Sequence, residues 1–133
     1  MLQDTRREPR SPITAKIRLR IDPAMAEMVH LSAEELELPL VDISASGVGL
    51  ASGVFLPPGA LVDLRMNRAD LAVPGEAAGE GEMLLVGQVA YAKPQGTGCR
   101  IGISFTHIDE PDKKLIRRYV DSRQAPKKSP HLQ

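Results

Sequence analysis

The feature that most constrains the fold is a strict alternation of apolar and polar residues near the start of the chain. Apolar side chains occupy every second position from Ile13 to Ile21, and the positions between them hold threonine, lysine or arginine. Because successive side chains of a β-strand point to opposite faces, this pattern predicts a strand with one buried and one solvated face. The segment from Cys99 to Thr106 repeats the alternation. The two segments together indicate a mainly β fold.

Weaker patterns between turn residues predict further strands, at about 35–42, 48–51, 61–66 and 83–92. The first of these has a second interpretation, because Ser32 and Glu35 match a capping box that would begin a helix. Alternating leucines favour the strand, and Pro39 would place it at an edge or a bulge. Residues 67–82 are rich in alanine, glycine and glutamate, which predicts an exposed loop.

One amphipathic helix is predicted near the end of the chain. Asp109 suits the N-cap and Pro111 the first helical turn. The apolar face comprises Leu115, Ile116, Tyr119 and Val120. About six short strands followed by one helix predict a small antiparallel β-barrel. We divide the chain into a flexible arginine-bearing arm (1–12), a barrel with its helix (13–122) and a frayed tail (123–133).

Charge and composition argue against several classes of protein. The 17 basic residues balance the 17 acidic ones, whereas a protein that binds a nucleic acid polymer usually carries a basic excess. The single cysteine, Cys99, cannot form an internal disulfide and fits a reducing cytoplasm. No apolar run approaches the ~20 residues of a membrane helix, so membrane insertion is not expected. The first residues also lack the apolar core of a signal peptide.

Two short motifs predict a ligand site. The sequence RREPR at 6–10 places Arg6 and Arg10 four residues apart, and the sequence DISASG at 42–47 is an Asp-x-Ser-x-x-Gly turn. Arginine forks suit phosphates and guanine edges. An aspartate and a serine on a glycine-terminated turn add an acceptor and a hydroxyl on a fixed loop. Together they indicate a site for an anionic purine nucleotide.

At these residues the chain resembles the PilZ domain family, the bacterial receptors for cyclic di-GMP, whose signature is RxxxR followed by [D/N]xSxxG. The segment 98–105 is also similar to the late strand of that family. The resemblance implies a six-stranded antiparallel β-barrel (PilZ-like) with a C-terminal α-helix. It further implies a non-catalytic, cytoplasmic second-messenger receptor that signals to an unidentified protein effector, with cyclic di-GMP as ligand and no cofactor.

The resemblance also suggests roles for the arginines. Arg6 and Arg10 match the motif and would bind the phosphates or guanines of cyclic di-GMP. Arg7 could add a contact or only raise the local positive potential. The arm has no core-forming residues, so we expect it to be mobile and to become ordered when its arginines clamp the ligand.

The turn would supply the remaining contacts. Asp42 suits the guanine N1–H and N2–H₂ edge, since a carboxylate repels a phosphate, and Ser44 can donate to a phosphate or a base. Gly47 is expected to take a positive φ or to admit the ligand closely. Ser46 could contact the ligand or could instead bond its own backbone.

Other functions have less support. The main alternative is a PilZ-like adaptor or interaction module that does not bind nucleotide, and a small-barrel nucleic acid binder is a weaker one. We expect no metal site, because His30, His107 and His131 are scattered. We expect no catalytic residues, because no pairing of base and nucleophile stands out.

Overall fold

The computed structural model describes residues 8–21, 35–76 and 79–128. In these ranges the chain forms seven β-strands, one short 3-10 helix and one α-helix. The strands are β1 (Ser11–Pro12), β2 (Lys16–Ile21), β3 (Glu35–Ser44), β4 (Gly47–Ser52), β5 (Leu61–Asn67), β6 (Glu82–Gln95) and β7 (Gly98–His107). The 3-10 helix is Arg68–Leu71, and the α-helix, α1, is Glu110–Lys128.

The strands close into an antiparallel barrel. Their order in the sheet is β1-β3-β2-β5-β6-β7-β4, and β4 also pairs with β3. This last pairing joins the two ends of the sheet formed by β2 to β7, while β1 pairs only with the end of β3. The predicted six-stranded antiparallel barrel with a C-terminal helix is therefore confirmed.

The interior of the barrel is formed by the apolar positions of the alternating strands. On β2, Ile17, Leu19 and Ile21 are fully buried, while the basic residues between them face outward. On β7, Ile101 and Ile103 are buried in the same core. Each such side chain contributes roughly 1.5–3 kcal/mol when it is removed from water, so the alternation determines which face of each strand lies inside.

The first predicted strand is interrupted. Residues 13–15 lie between β1 and β2, opposite a register irregularity of β3 between Leu40 and Asp42. The backbone still bonds across the gap, from Ile13 N–H to Val41 and from Leu40 N–H to Ala15. The predicted strand therefore begins earlier, at Ser11, and contains a break that accommodates the irregularity in its neighbour.

The segment 35–42 is a strand, as the alternation favoured, and it extends to Ser44 as β3. Pro39 pairs with Lys16 on β2, and the pairing of β3 with β4 begins only at Leu40. The missing N–H of proline is tolerated there because that side of the strand has no ladder to complete. Ser32, the other half of the predicted capping box, lies outside the described residues.

The prediction of an exposed loop at 67–82 was wrong over its first part. The 3-10 helix carries Leu71, which is fully buried, and Val73 is nearly so. Arg68 also reaches α1, where its Nε lies 3.0 Å from Asp112 Oδ1. Two apolar side chains and one ion pair therefore hold this segment against the domain.

Helix α1 begins where the sequence predicted, and Lys113 N–H donates to the Asp109 carbonyl. Its predicted apolar face is buried on the barrel. The helix continues to Lys128, so residues 123–128 of the predicted tail are helical. Arg123 contributes to this extension, because its guanidinium lies over the Tyr119 ring and donates to its hydroxyl. In the described part of the chain, no helix has the length and apolar character needed to cross a membrane.

Candidate nucleotide-binding site

The end of the arm and the turn between β3 and β4 lie side by side. Strand β1 pairs Ser11 with Ile43 and Pro12 with Asp42, so the residue before β1 lies beside the turn. Arg10 Nη1 donates to Ser44 Oγ at 3.3 Å, and Arg10 Nε lies 3.4 Å from Asp42 Oδ1. Three of the predicted site residues, Arg10, Asp42 and Ser44, are thus in contact.

The turn is held by the side chain of Ser44. This residue is fully buried, and its hydroxyl accepts the Ser46 N–H at 3.1 Å. The Ser46 hydroxyl lies 3.0 Å from the same oxygen. The predicted backbone bond within the turn therefore exists, but Ser44 rather than Ser46 supplies the hydroxyl. The exposed Ser46 side chain remains accessible at the edge of the site.

Of the two reasons predicted for Gly47, the positive φ is wrong, and the close approach of a ligand stays a prediction. Its φ is outside the positive range, in contrast to that of Gly59 or Gly96. A β-carbon at Gly47 would instead overlap the carbonyl oxygen of Ile103 on β7. The glycine is thus required for the close approach of β4 and β7, and this packing explains it without a ligand.

Sequence reasoning missed Arg100 on β7. Its Nη2 donates to Asp42 Oδ2 at 2.6 Å, the shorter of the two arginine contacts of this carboxylate. The alternation of β7 predicts only that Arg100 faces outward. The contact with Asp42 depends on the strand order, in which β4 lies between β3 and β7.

The site carries a surplus of positive charge in a partly buried setting. The Asp42 side chain is 17% exposed, against 29% for Arg100 and 42% for Arg10. Two guanidinium groups flank one carboxylate, so the described cluster has a net charge of about +1 at neutral pH. Because these three side chains are partly desolvated, salt screens their ion pairs less than it would screen ion pairs on the open surface.

The part of the arm that the structure describes lies against the domain. Glu8 accepts a hydrogen bond from Arg117 Nη2 of α1 at 2.8 Å, and this bond, together with the charge of Glu8, raises the pKa of Arg117. Ser11 is buried beside β3. The last residues of the predicted arm therefore contact both the barrel and α1. Arg6 and Arg7 lie outside the described residues.

Among the residues that the structure describes, no cluster of three or more histidine, cysteine or acidic side chains has metal-binding geometry. His107 lies 3.2 Å from Asp109, and both side chains are about two-thirds exposed. His30 and His131 are outside the described ranges.

The fold is similar to several solved structures. The inhibitor of motility MotI/DgrA of Bacillus subtilis superposes with a TM-score of 0.68 at 16% identity, and YcgR of Escherichia coli, in complex with c-di-GMP, with 0.64 at 17%. MrkH of K. pneumonia, also in a c-di-GMP complex, gives 0.61 at 17%. These matches cover 92%, 96% and 92% of this chain but only 52%, 50% and 54% of those proteins. At such identities the likeness is evidence of a shared fold.

Among curated protein sequences no match was found. The family model of the PilZ domain matches residues 4–122, which is most of the chain and includes both motifs. The chain belongs to the PilZ domain family.

Proposed function

We propose that this protein is a non-catalytic, cytoplasmic receptor for cyclic di-GMP that signals to a protein partner through ordering of its arm. The observation that carries the proposal is the contact of Arg10 with both Asp42 and Ser44, which unites the two motifs at one place. Membership of the PilZ family and the c-di-GMP complexes of YcgR and MrkH, which have the same fold, support this choice of ligand.

The cluster offers the contacts that such a ligand requires. Cyclic di-GMP has two phosphodiester charges, and a guanidinium can bind phosphate oxygens or guanine O6 and N7 with its fork. Asp42 can accept from the guanine N1–H and N2–H₂ groups, and the exposed Ser46 offers a hydroxyl. The Ser44 hydroxyl is buried and would become accessible to the ligand only when Arg10 leaves it. Arg6 and Arg7 precede Arg10 on the same arm and would add positive charge.

Binding requires one rearrangement at Arg10. Asp42 Oδ1 is shielded from solvent, and Arg10 lies beside it. Arg10 must therefore leave the carboxylate for a phosphate before guanine can reach Asp42. Its partial exposure and its position ahead of β1 make this exchange easier than a movement of a barrel strand.

The alternative function is a PilZ-like adaptor that binds no nucleotide. The same ion pairs favour it in one respect, because Asp42 already has cationic partners without a ligand. In the adaptor, Arg10, Asp42 and Arg100 would serve only to fasten the arm and the strands to each other.

Isothermal titration with cyclic di-GMP separates the two functions, with GTP and cyclic di-AMP as controls for base and ring. The receptor should bind cyclic di-GMP saturably and should bind the other two weakly or not at all. The absence of heat and of competition at high ligand concentration would favour the adaptor.

The variant Arg10→Ala tests the site itself. Loss of a charge-assisted contact of roughly 1.5–3 kcal/mol should weaken binding by about ten- to a hundredfold without unfolding the barrel. The matched control is Arg65→Ala, which removes an exposed arginine from β5 and should leave the affinity unchanged. Equal affinity in the Arg10 variant and the wild type would exclude Arg10 from the site.

A further inference from the structure

Asp42 contacts two arginines that differ in how firmly the fold holds them. Arg10 precedes β1, is 42% exposed and makes the longer contact, 3.4 Å to Oδ1. Arg100 lies on β7 with ladders to β4 and β6 on its two sides, is 29% exposed and donates to Oδ2 at 2.6 Å. Arg10 is therefore suited to exchange Asp42 for another partner, whereas Arg100 is suited to remain bound to Asp42.

The contact with Arg100 spans an intervening strand. Asp42 on β3 pairs with Gly49 on β4, and Arg100 on β7 pairs with Ala51 on the same strand. The two side chains meet above Gly49. A β-carbon at that position would lie 2.6 Å from Asp42 Oδ1 and 3.1 Å from Arg100 Nη2. The pair forms at this place because residue 49 has no side chain.

We propose that Arg100 is a positioning residue of the nucleotide site, which holds Asp42 for the guanine edge while Arg10 leaves it. This inference rests on the proposed function. Arg100 keeps the carboxylate oriented through Oδ2, so that Oδ1 becomes available to guanine when Arg10 turns to a phosphate. Gly49 provides the space in which the pair forms.

The charge balance agrees with this division of roles. Without Arg100, the Asp42 carboxylate and the ligand phosphates, which are all negatively charged, would compete for the Arg10 guanidinium. With Arg100 present, Asp42 keeps a cationic partner after Arg10 has moved. Both charges are partly buried, and a carboxylate left without a partner in such a setting is costly.

The test is a titration of the full chain with cyclic di-GMP and with its inosine analogue, which lacks the 2-amino groups that Asp42 would bind. Arg100→Gln should weaken binding of cyclic di-GMP by about tenfold. It should also reduce the ratio between the affinity for cyclic di-GMP and the affinity for the inosine analogue. The matched control is Arg65→Gln, which replaces an exposed arginine on β5. It should change neither the affinity for cyclic di-GMP nor the selectivity over the inosine analogue. The midpoint of thermal unfolding establishes that each variant is folded.

A double-mutant cycle distinguishes positioning from direct contact with the ligand. If Arg100 acts through Asp42, Arg100→Gln should cost less than about twofold in an Asp42→Asn background, since the group that it positions is already impaired. A loss as large as in the wild-type background would mean that Arg100 touches the ligand itself, and would overturn the positioning role.

Gly49→Ala provides a second test that conserves every charge. The added β-carbon should separate the pair and reproduce the affinity and selectivity of Arg100→Gln, while Gly53→Ala, with no atom within 4 Å of its β-carbon, should not. If the wild type binds cyclic di-GMP and Arg100→Gln or Gly49→Ala retains full affinity and selectivity, the inference alone fails. If the wild type does not bind, the proposed function fails and the inference with it.

Discussion

Two glycines of β4 determine how closely the parts of the site approach each other. Gly47 allows β4 to lie against the backbone of β7 at Ile103, and Gly49 leaves room for the Asp42–Arg100 pair. Both requirements arise from neighbouring atoms, since neither glycine has a positive φ. The last residue of the Asp-x-Ser-x-x-Gly motif is therefore explained by barrel packing as well as by any ligand.

Replacing Gly47 by alanine should destabilise the protein. The methyl group would meet the Ile103 carbonyl, and relief requires a shift of the backbone, so we expect the free energy of unfolding to fall by about 1–3 kcal/mol. Gly53→Ala is the control, because its β-carbon would enter open space, and it should stay within about 0.5 kcal/mol of the wild type. Urea denaturation measures both. A Gly47 variant as stable as the Gly53 variant would contradict the packing explanation.

For single residues, the sequence predicts which side chains belong to the site better than it predicts which side chains they contact. The motifs identify Arg10, Asp42 and Ser44, and the structure brings these three together. The contact of Arg100 with Asp42 was not predictable from the alternation, because alternation assigns every outward side chain of a strand to the same face and gives no partner for any of them. Its role depends on which strand lies between β3 and β7, and this is a property of the closed barrel.

The segment after β5 connects the barrel to α1 through one buried ion pair. Asp112 in the first turn of α1 is 5% exposed, and it accepts from Arg68 Nε at 3.0 Å and from Nη2 at 3.4 Å. Arg68 also donates to the Glu80 carbonyl, so one side chain links both ends of the segment with the helix. A second pair, between Glu76 and Arg118, is far more exposed.

Arg68→Ala should therefore cost much more stability than Glu76→Ala. The first leaves a buried carboxylate without its bidentate partner, at about 1–3 kcal/mol, whereas an exposed pair contributes at most about 1 kcal/mol. Thermal unfolding of the two variants measures the difference. Similar losses in both would show that the Arg68–Asp112 pair does not hold the segment to α1.

Element types were predictable wherever a period was strong. The alternation of β2, β3 and β7 and the apolar face of α1 were sufficient, because one buried face specifies both the period and the register. The composition of residues 67–82 suggested a loop, since one buried leucine and one buried valine leave no periodic signal. The end of α1 was also missed, because a contact such as that of Arg123 with Tyr119 cannot be read as a pattern.

At the scale of the whole molecule, the described arm is anchored on both sides of Arg10. Glu8 is bonded to Arg117 of α1, and Ser11 is buried in the pairing of β1 with β3. The Tyr119 hydroxyl of α1 also donates to the Pro12 carbonyl at 3.4 Å. A ligand that draws Arg10 away from Asp42 therefore acts on a segment that touches both the barrel and the helix.

This arrangement revises the predicted ordering of the arm. Glu8 and Ser11 already contact the domain without a ligand, so these two residues contribute little to the proposed ordering. Under the proposed function, the surface that a partner protein would recognise is the arm in contact with the bound nucleotide. Part of the binding energy would offset the entropy of ordering this segment.

The most direct test of the central claim is amide hydrogen exchange of the full chain, measured with and without saturating cyclic di-GMP. We expect slower exchange in peptides that cover residues 4–10 and the turn at 44–47. Peptides from the loop at 53–59, which lies outside the proposed site, serve as the internal reference and should not change. Bound ligand that leaves residues 4–10 and 44–47 unprotected, or that protects another surface instead, would contradict the proposed site.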